Sequence, residues 1–137
     1  MKEDLIGLVA VFNGLIRRRI DLLVRPLGLS EANYYYLMII GSRPGTNQAA
    51  ITKKLLRDQS SVTRQIERLV KQGWVKKRRS TKDGRQSELF LTEKGQEVLL
   101  KLREITQQVN NEVSSKLSTN EDTILRDILQ KARLDLD

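Results

Sequence analysis

The 137-residue chain suffices for one compact domain, but with 39% hydrophobic and only 4% aromatic residues its core must be aliphatic. It contains neither cysteine nor histidine, which excludes disulfides, thiolate chemistry and the usual zinc ligands, and no clustered carboxylates replace them as a metal site. The net charge of +8 is concentrated: residues 53–85 carry twelve basic against three acidic residues, and the remainder is net −1, so a polyanionic partner is implied, either nucleic acid or a membrane surface.

Residues 4–24 are predicted to form a helix. Leu5, Val9, Phe12, Ile16 and Leu23 make one apolar stripe, and Leu8, Val11, Leu15 and Leu22 a second beside it. A helix resting on its own domain needs one stripe; two mean either complete burial in its own core or packing against another chain. The uncharged stretch Leu5–Ile16 is about half of what a membrane span needs. Glu3, Asp4 and the run Arg17-Arg18-Arg19 do not fit a signal peptide, so a cytoplasmic protein without a membrane partner is expected.

Arg25-Pro26-Leu27-Gly28 ends this helix. Ser30 is the expected N-cap of a second helix running to about Ile40, interrupted by Gly41, Pro44 and Gly45. Thr46 is expected to cap a third helix to about Leu56, with Ala50, Ile51 and Leu55 facing inward. Asp58 is expected to cap a fourth, from Gln59 to Gln72, stopped by Gly73. Trp74–Arg79 and Ser87–Leu91 are strand candidates joined by a loop containing Asp83-Gly84, a turn dipeptide. Thr92 caps a long helix, residues 93–117, carrying Val98, Leu102, Ile105, Val109 and Val113 on one side. A capping-box pattern in Ser118–Asp122 opens a last helix with Ile124, Leu125, Ile128 and Leu129 on its apolar face.

Two short helices and a basic hairpin describe a winged helix-turn-helix: mainly α, with a small β-hairpin wing. On the fourth helix, Val62, Ile66, Leu69 and Val70 fall on one side and must be buried. The opposite side carries Ser60, Arg64, Arg68 and Lys71, flanked by Ser61 and Thr63. That face is either a solvated polar surface or a base-reading one: its N-terminal hydroxyls allow close approach, and the Arg64 fork matches guanine O6 and N7. The hairpin favours the second reading, because Lys76, Lys77, Arg78, Arg79, Lys82 and Arg85 form a cationic ribbon suited to phosphates or a minor groove. Asp83 either holds Arg85 by an ion pair or only shapes the turn.

The ordered set Ser60-Ser61-Val62-Thr63-Arg64, Leu69, Gly73-Trp74-Val75, Arg78-Arg79, Asp83-Gly84-Arg85 and Leu91-Thr92-Glu93-Lys94-Gly95 resembles the recognition helix, wing and exit helix of the MarR (multiple-antibiotic-resistance regulator) family. Leu27-Gly28-Leu29-Ser30 and Asn47-Gln48-Ala49-Ala50-Ile51 extend the resemblance over most of the chain. It implies a bacterial DNA-binding transcription regulator, a ligand-responsive repressor that binds palindromic double-stranded operator DNA as a homodimer. Residues 30–92 would be the winged DNA-binding region, and residues 1–29 and 93–137 the helical dimerisation region. Expected DNA contacts are Gln59, Ser60, Ser61, Thr63, Arg64 and Arg68 from the recognition helix, and Lys77, Arg79, Lys82, Asp83 and Arg85 from the wing. Gly84 stands where many relatives carry a larger residue. The resemblance further implies a small aromatic or phenolic effector, for which Arg17, Arg18, Tyr34, Tyr35 and Tyr36 are candidate pocket residues, although tyrosines packing a helix interface would look the same. No cofactor is implied. An architectural, sequence-indifferent DNA-binding protein is the alternative. An enzyme is not expected, for want of a nucleophile–base pair or a phosphate-binding glycine loop, and a bare protein-interaction module leaves the +9 segment without a role.

Overall fold

A computed structural model describes residues 4–80, 82, 84 and 86–133. Helix α1 (Leu5–Val24) runs into a single 3-10 turn at Arg25–Leu27, which Gly28 closes in the left-handed region at φ 85°. Then follow α2 (Tyr34–Ser42), α3 (Gln48–Leu55), α4 (Gln59–Lys71), strands β1 (Val75–Arg79) and β2 (Ser87–Leu91), α5 (Glu93–Ser114) and α6 (Thr119–Arg133). The contacts divide the chain into two compact units, one reaching to Ile105 and the other beginning at Thr106, so the boundary falls within α5.

The first unit holds the winged helix-turn-helix. Its core is aliphatic, with Val24, Leu37, Ile40, Ile51, Val62, Ile66, Leu69, Leu89 and Leu102 essentially inaccessible, joined by Tyr36 and Trp74. The strands pair antiparallel in the register Val75↔Leu91, Lys76↔Phe90, Lys77↔Leu89, Arg78↔Glu88 and Arg79↔Ser87. Gly95 is what allows α5 to leave this hairpin so closely: a Cβ there would run into the carbonyl oxygen of Trp74.

Three expectations change in detail. Ser30 does not cap α2. Its own N–H is bound by the side chain of buried Asn33 at 2.9 Å and the next N–H by Asp21, so residues 30–33 form a turn and the helix starts at Tyr34. Thr46 does not cap α3, because its backbone pairs with Leu89 of the wing; Asn47 caps instead, accepting from the Ala50 N–H at 2.9 Å. Ala50, expected inside, is exposed, while Ile51 is buried. The capping box at α6 forms as expected, Ser118 N–H donating to Glu121 at 2.9 Å and Glu121 N–H to the Ser118 hydroxyl at 3.0 Å.

Candidate nucleic-acid interface

Helix α4 begins where Asp58, in extended backbone, accepts from the Ser61 N–H at 2.9 Å. The same carboxylate also accepts the hydroxyls of Ser60 at 2.5 Å and Ser61 at 2.7 Å. These bonds, the Ser60 hydroxyl first, hold Asp58 far below the usual carboxylate range, so it stays charged. Arg64 in turn donates to the Ser61 hydroxyl at 3.3 Å. Cap, serines and arginine are thus linked at the end of the helix that a major groove would receive.

The burial of α4 follows the helical arithmetic. Val62, Ile66 and Leu69 are buried, Val70 is half-buried, and Gln59, Ser60, Arg64, Arg68 and Lys71 are exposed. Thr63 is placed differently from its neighbours. It is half-buried, its hydroxyl donates to the Gln59 carbonyl at 2.9 Å, and the same oxygen accepts from the side-chain amide of Gln48 on α3.

The wing sorts its cations by face, since residues directly opposite across an antiparallel pair share a side. Val75, Lys77 and Arg79 lie on the side of buried Leu89 and Leu91; Lys76 and Arg78 lie on the other, opposite Phe90 and Glu88. Arg78 is committed there, 3.0 Å from Glu88 with its guanidinium 4.7 Å from the Phe90 ring centre. Arg79 donates to the Gly84 carbonyl at 3.1 Å and so braces the turn, and Lys82 is exposed. Asp83 and Arg85 lie outside the described residues.

Two residues to which the sequence assigns no role beyond the family resemblance tie these parts together. Gln48 reaches Thr63 as above, and the Asn47 side-chain amide donates to Gln86 of the wing at 3.1 Å. Both partners are remote in sequence, and only the choice of Asn beside Gln at the start of a helix hinted at them.

Of the candidate effector residues, Arg17, Tyr34, Tyr35 and Tyr36 border a recess of about 270 Å³ that Leu55 and Arg57 also line, whereas Arg18 does not. Arg17 is already engaged, donating to both Glu31 oxygens at 2.8 and 2.9 Å, which raises its pKa further. Burial raises the Tyr34 and Tyr36 phenols, with the Arg57 guanidinium acting on Tyr36 in the opposite sense. Among the described residues, no helix is long and apolar enough to cross a membrane, and no group of three or more His, Cys, Asp or Glu could hold a metal ion.

The MarR family profile matches residues 29–87. The HTH-type transcriptional regulator BilQ of Clostridium symbiosum is 31% identical over 104 residues, 76% of this chain and 72% of the relative. The HTH-type regulator YybA of Bacillus subtilis is 26% identical over 128 residues, covering 90% and 85%. A MarR family transcriptional regulator from Listeria monocytogenes, solved with a 26mer DNA, superposes with a TM-score of 0.91 at 22% identity, over 98% of this chain and 90% of that one. A mutant MarR from E. coli, solved with operator DNA, superposes at 0.86 and 24% identity over 95% and 99%. At such identities these structures establish a common fold, and the BilQ match establishes the lineage. The chain belongs to the MarR family of winged helix-turn-helix transcription regulators.

Proposed function

We propose that the protein is a cytoplasmic homodimeric repressor that binds palindromic operator DNA, with α4 in the major groove and the wing against the flanking backbone. The observation that carries this reading is the α4 face on which Ser60, Arg64 and Arg68 stand exposed, opposite buried Val62, Ile66 and Leu69, with Lys77 and Arg79 on a single face of the adjoining hairpin. The DNA-bound Listeria and E. coli structures share this architecture and support it. Gln59, Ser60, Ser61, Arg64 and Arg68 read or anchor; Lys77, Arg79 and Lys82, with Asp83 and Arg85, serve the phosphates and the minor groove. Residues 30–92 would supply these contacts, and residues 1–29 and 93–137 self-association. Recognition helices about 34–36 Å apart would then meet successive major grooves.

The test is selection of bound fragments from random duplex DNA by the purified protein. A palindromic consensus preferred at least about a thousandfold is expected of a regulator; uniform affinity for every duplex identifies an architectural protein instead. Arg64→Ala should then cost about 1–3 kcal/mol on the consensus and relax preference at particular base pairs. An equal loss on all sequences removes it from base reading.

An aromatic or phenolic effector would occupy the recess at Tyr34–Tyr36. Arg57 on its wall directly precedes the Asp58 cap, so an occupant there bears on the end of α4 that reads DNA. Titrating a panel of small aromatic acids and phenols against the operator complex checks this. Release by a ligand whose effect Tyr35→Ala abolishes is the expected result, and no release by any member of the panel counts against it.

A further inference from the structure

We infer that the N-terminus of α3 is the joint that fixes recognition helix and wing relative to each other, with Asn47 and Gln48 as positioning residues for DNA recognition. This rests on the DNA-binding reading above and deepens it.

The two elements already meet, but at the ends that do not work. Helix α4 contacts β1 and leads into it at its C-terminus, where Gly73 N–H binds the Val70 carbonyl and Trp74 N–H the Leu69 carbonyl, both at 3.0 Å. Ser60–Arg64 lie at the opposite end of α4, and Gln86 lies beside the far end of the hairpin, where Ser87 pairs with Arg79. What reaches both is α3. Its entry loop is stitched to the wing by Leu89 N–H to the Thr46 carbonyl and Gly45 N–H to the Leu89 carbonyl, both 2.8 Å. From there Asn47 takes hold of Gln86, immediately before β2, and Gln48 takes hold of Thr63, in the first turns of α4.

The residue types suit the task. Asn47 uses both ends of its amide, the oxygen capping Ala50 N–H and the nitrogen donating to Gln86. Among good caps a carboxylate has no donor, and a serine or threonine hydroxyl is too short to span both partners. The Thr63 hydroxyl spends its proton on the Gln59 carbonyl, so its oxygen needs a donor, which the Gln48 amide supplies. A lone residue could tether one element; two consecutive ones set the offset between them, and a rigid duplex demands a fixed offset.

Two double-mutant cycles test the joint on the selected consensus DNA and on an unrelated duplex: Gln48→Met with Thr63→Val, and Asn47→Ser, which keeps a cap, with Gln86→Ala. Each single change should weaken consensus binding about five- to tenfold, leave the unrelated duplex nearly unmoved, and lower the thermal midpoint by no more than the few degrees that one hydrogen bond is worth. Each double should lose no more than its worse single, and Thr63→Ser should bind like the wild type. Additive losses, equal losses on both duplexes, unchanged affinity, or coupling in only one cycle overturn the joint. Failure of the wild type to prefer any duplex is a different result, and it overturns the DNA-binding reading itself.

Discussion

Arg78 stands 3.0 Å from Glu88 and 4.7 Å above Phe90, whereas Lys77, one residue earlier, leaves β1 on the opposite face and is exposed. Formal charge is the same, but a cation held by a carboxylate and a ring has less to offer a phosphate. Lys77→Ala should therefore reduce the slope of log affinity against log salt by about 1, the signature of one lost phosphate contact. Arg78→Ala should leave that slope alone and instead soften the wing by about 1 kcal/mol or less, as expected of an exposed ion pair with a ring contact. Binding isotherms at several salt concentrations separate the two; equal slopes for both variants would erase the distinction of faces. At this scale sequence reading succeeds where one period governs: the 100° arithmetic puts Val62, Ile66 and Leu69 inside and Arg64 and Arg68 outside. It fails at Thr63, whose polarity suggests a free hydroxyl but whose oxygen is occupied by Gln48 from another helix.

Element boundaries show the same division between local and non-local causes. Caps that depend only on neighbours, Asp58 and the Ser118–Glu121 box, stand where local rules put them. Ser30 and Thr46 satisfy the same local rules and do not cap: the Ser30 N–H is taken by Asn33 and the Glu31 N–H by Asp21 near the end of α1, and Thr46 pairs with Leu89 in the wing. The junction of hairpin and exit helix is legible as Leu91-Thr92-Glu93-Lys94-Gly95, yet its mechanism is not. Thr92 N–H binds the Trp74 carbonyl at 3.1 Å, and the Thr92 hydroxyl donates to the Gly73 carbonyl at 2.6 Å and accepts from Gly95 N–H at 3.1 Å. Lys94 lies 3.9 Å from the Trp74 ring centre. Because a Cβ at position 95 meets backbone rather than a movable side-chain tip, Gly95→Ala should destabilise by about 1–3 kcal/mol despite its better helix propensity. Denaturant unfolding measures this, and a gain in stability would mean that α5 can shift without cost.

Across the whole molecule two properties follow from what the chain leaves out and what it leaves uncovered. With no histidine or cysteine, no side chain has an ordinary pKa between about pH 5 and 8. Among the described residues, hydrogen bonds hold the carboxyls of Asp21, Asp58, Glu121 and Asp122 below their ordinary range. A carboxyl whose folded pKa lies below its unfolded value stabilises above the unfolded value and loses that contribution as pH falls through the folded one. Stability should thus be flat from pH 6 to 8 and decline as pH falls below about 5; a midpoint that moves between pH 6 and 8 in thermal melts would contradict this.

The longest run of uncovered apolar side chains among the described residues is on α1, where Leu5, Ile6, Leu8, Val9, Val11, Phe12, Leu15 and Leu22 are 40–77% exposed; Ile16 and Leu23 are half-buried, so the second stripe and the N-terminal part of the first remain open within one chain. Burial in its own core accounts for the C-terminal half of α1, around Ile20 and Val24, and not for the open N-terminal part, for which a second copy is the occupant that the homodimer reading supplies. Leu8→Glu with Val11→Glu should cost the single subunit little, since both side chains already face water, yet should drive a dimer to monomer in sedimentation. Two half-sites gripped together gain about 10²–10⁴ in affinity over one, so operator binding should fall by at least about a hundredfold while each half-site is still recognised. A doubly substituted protein that sediments unchanged and holds its operator would place the self-association surface elsewhere. A monomer that binds undiminished would show that a single winged unit accounts for all of the affinity.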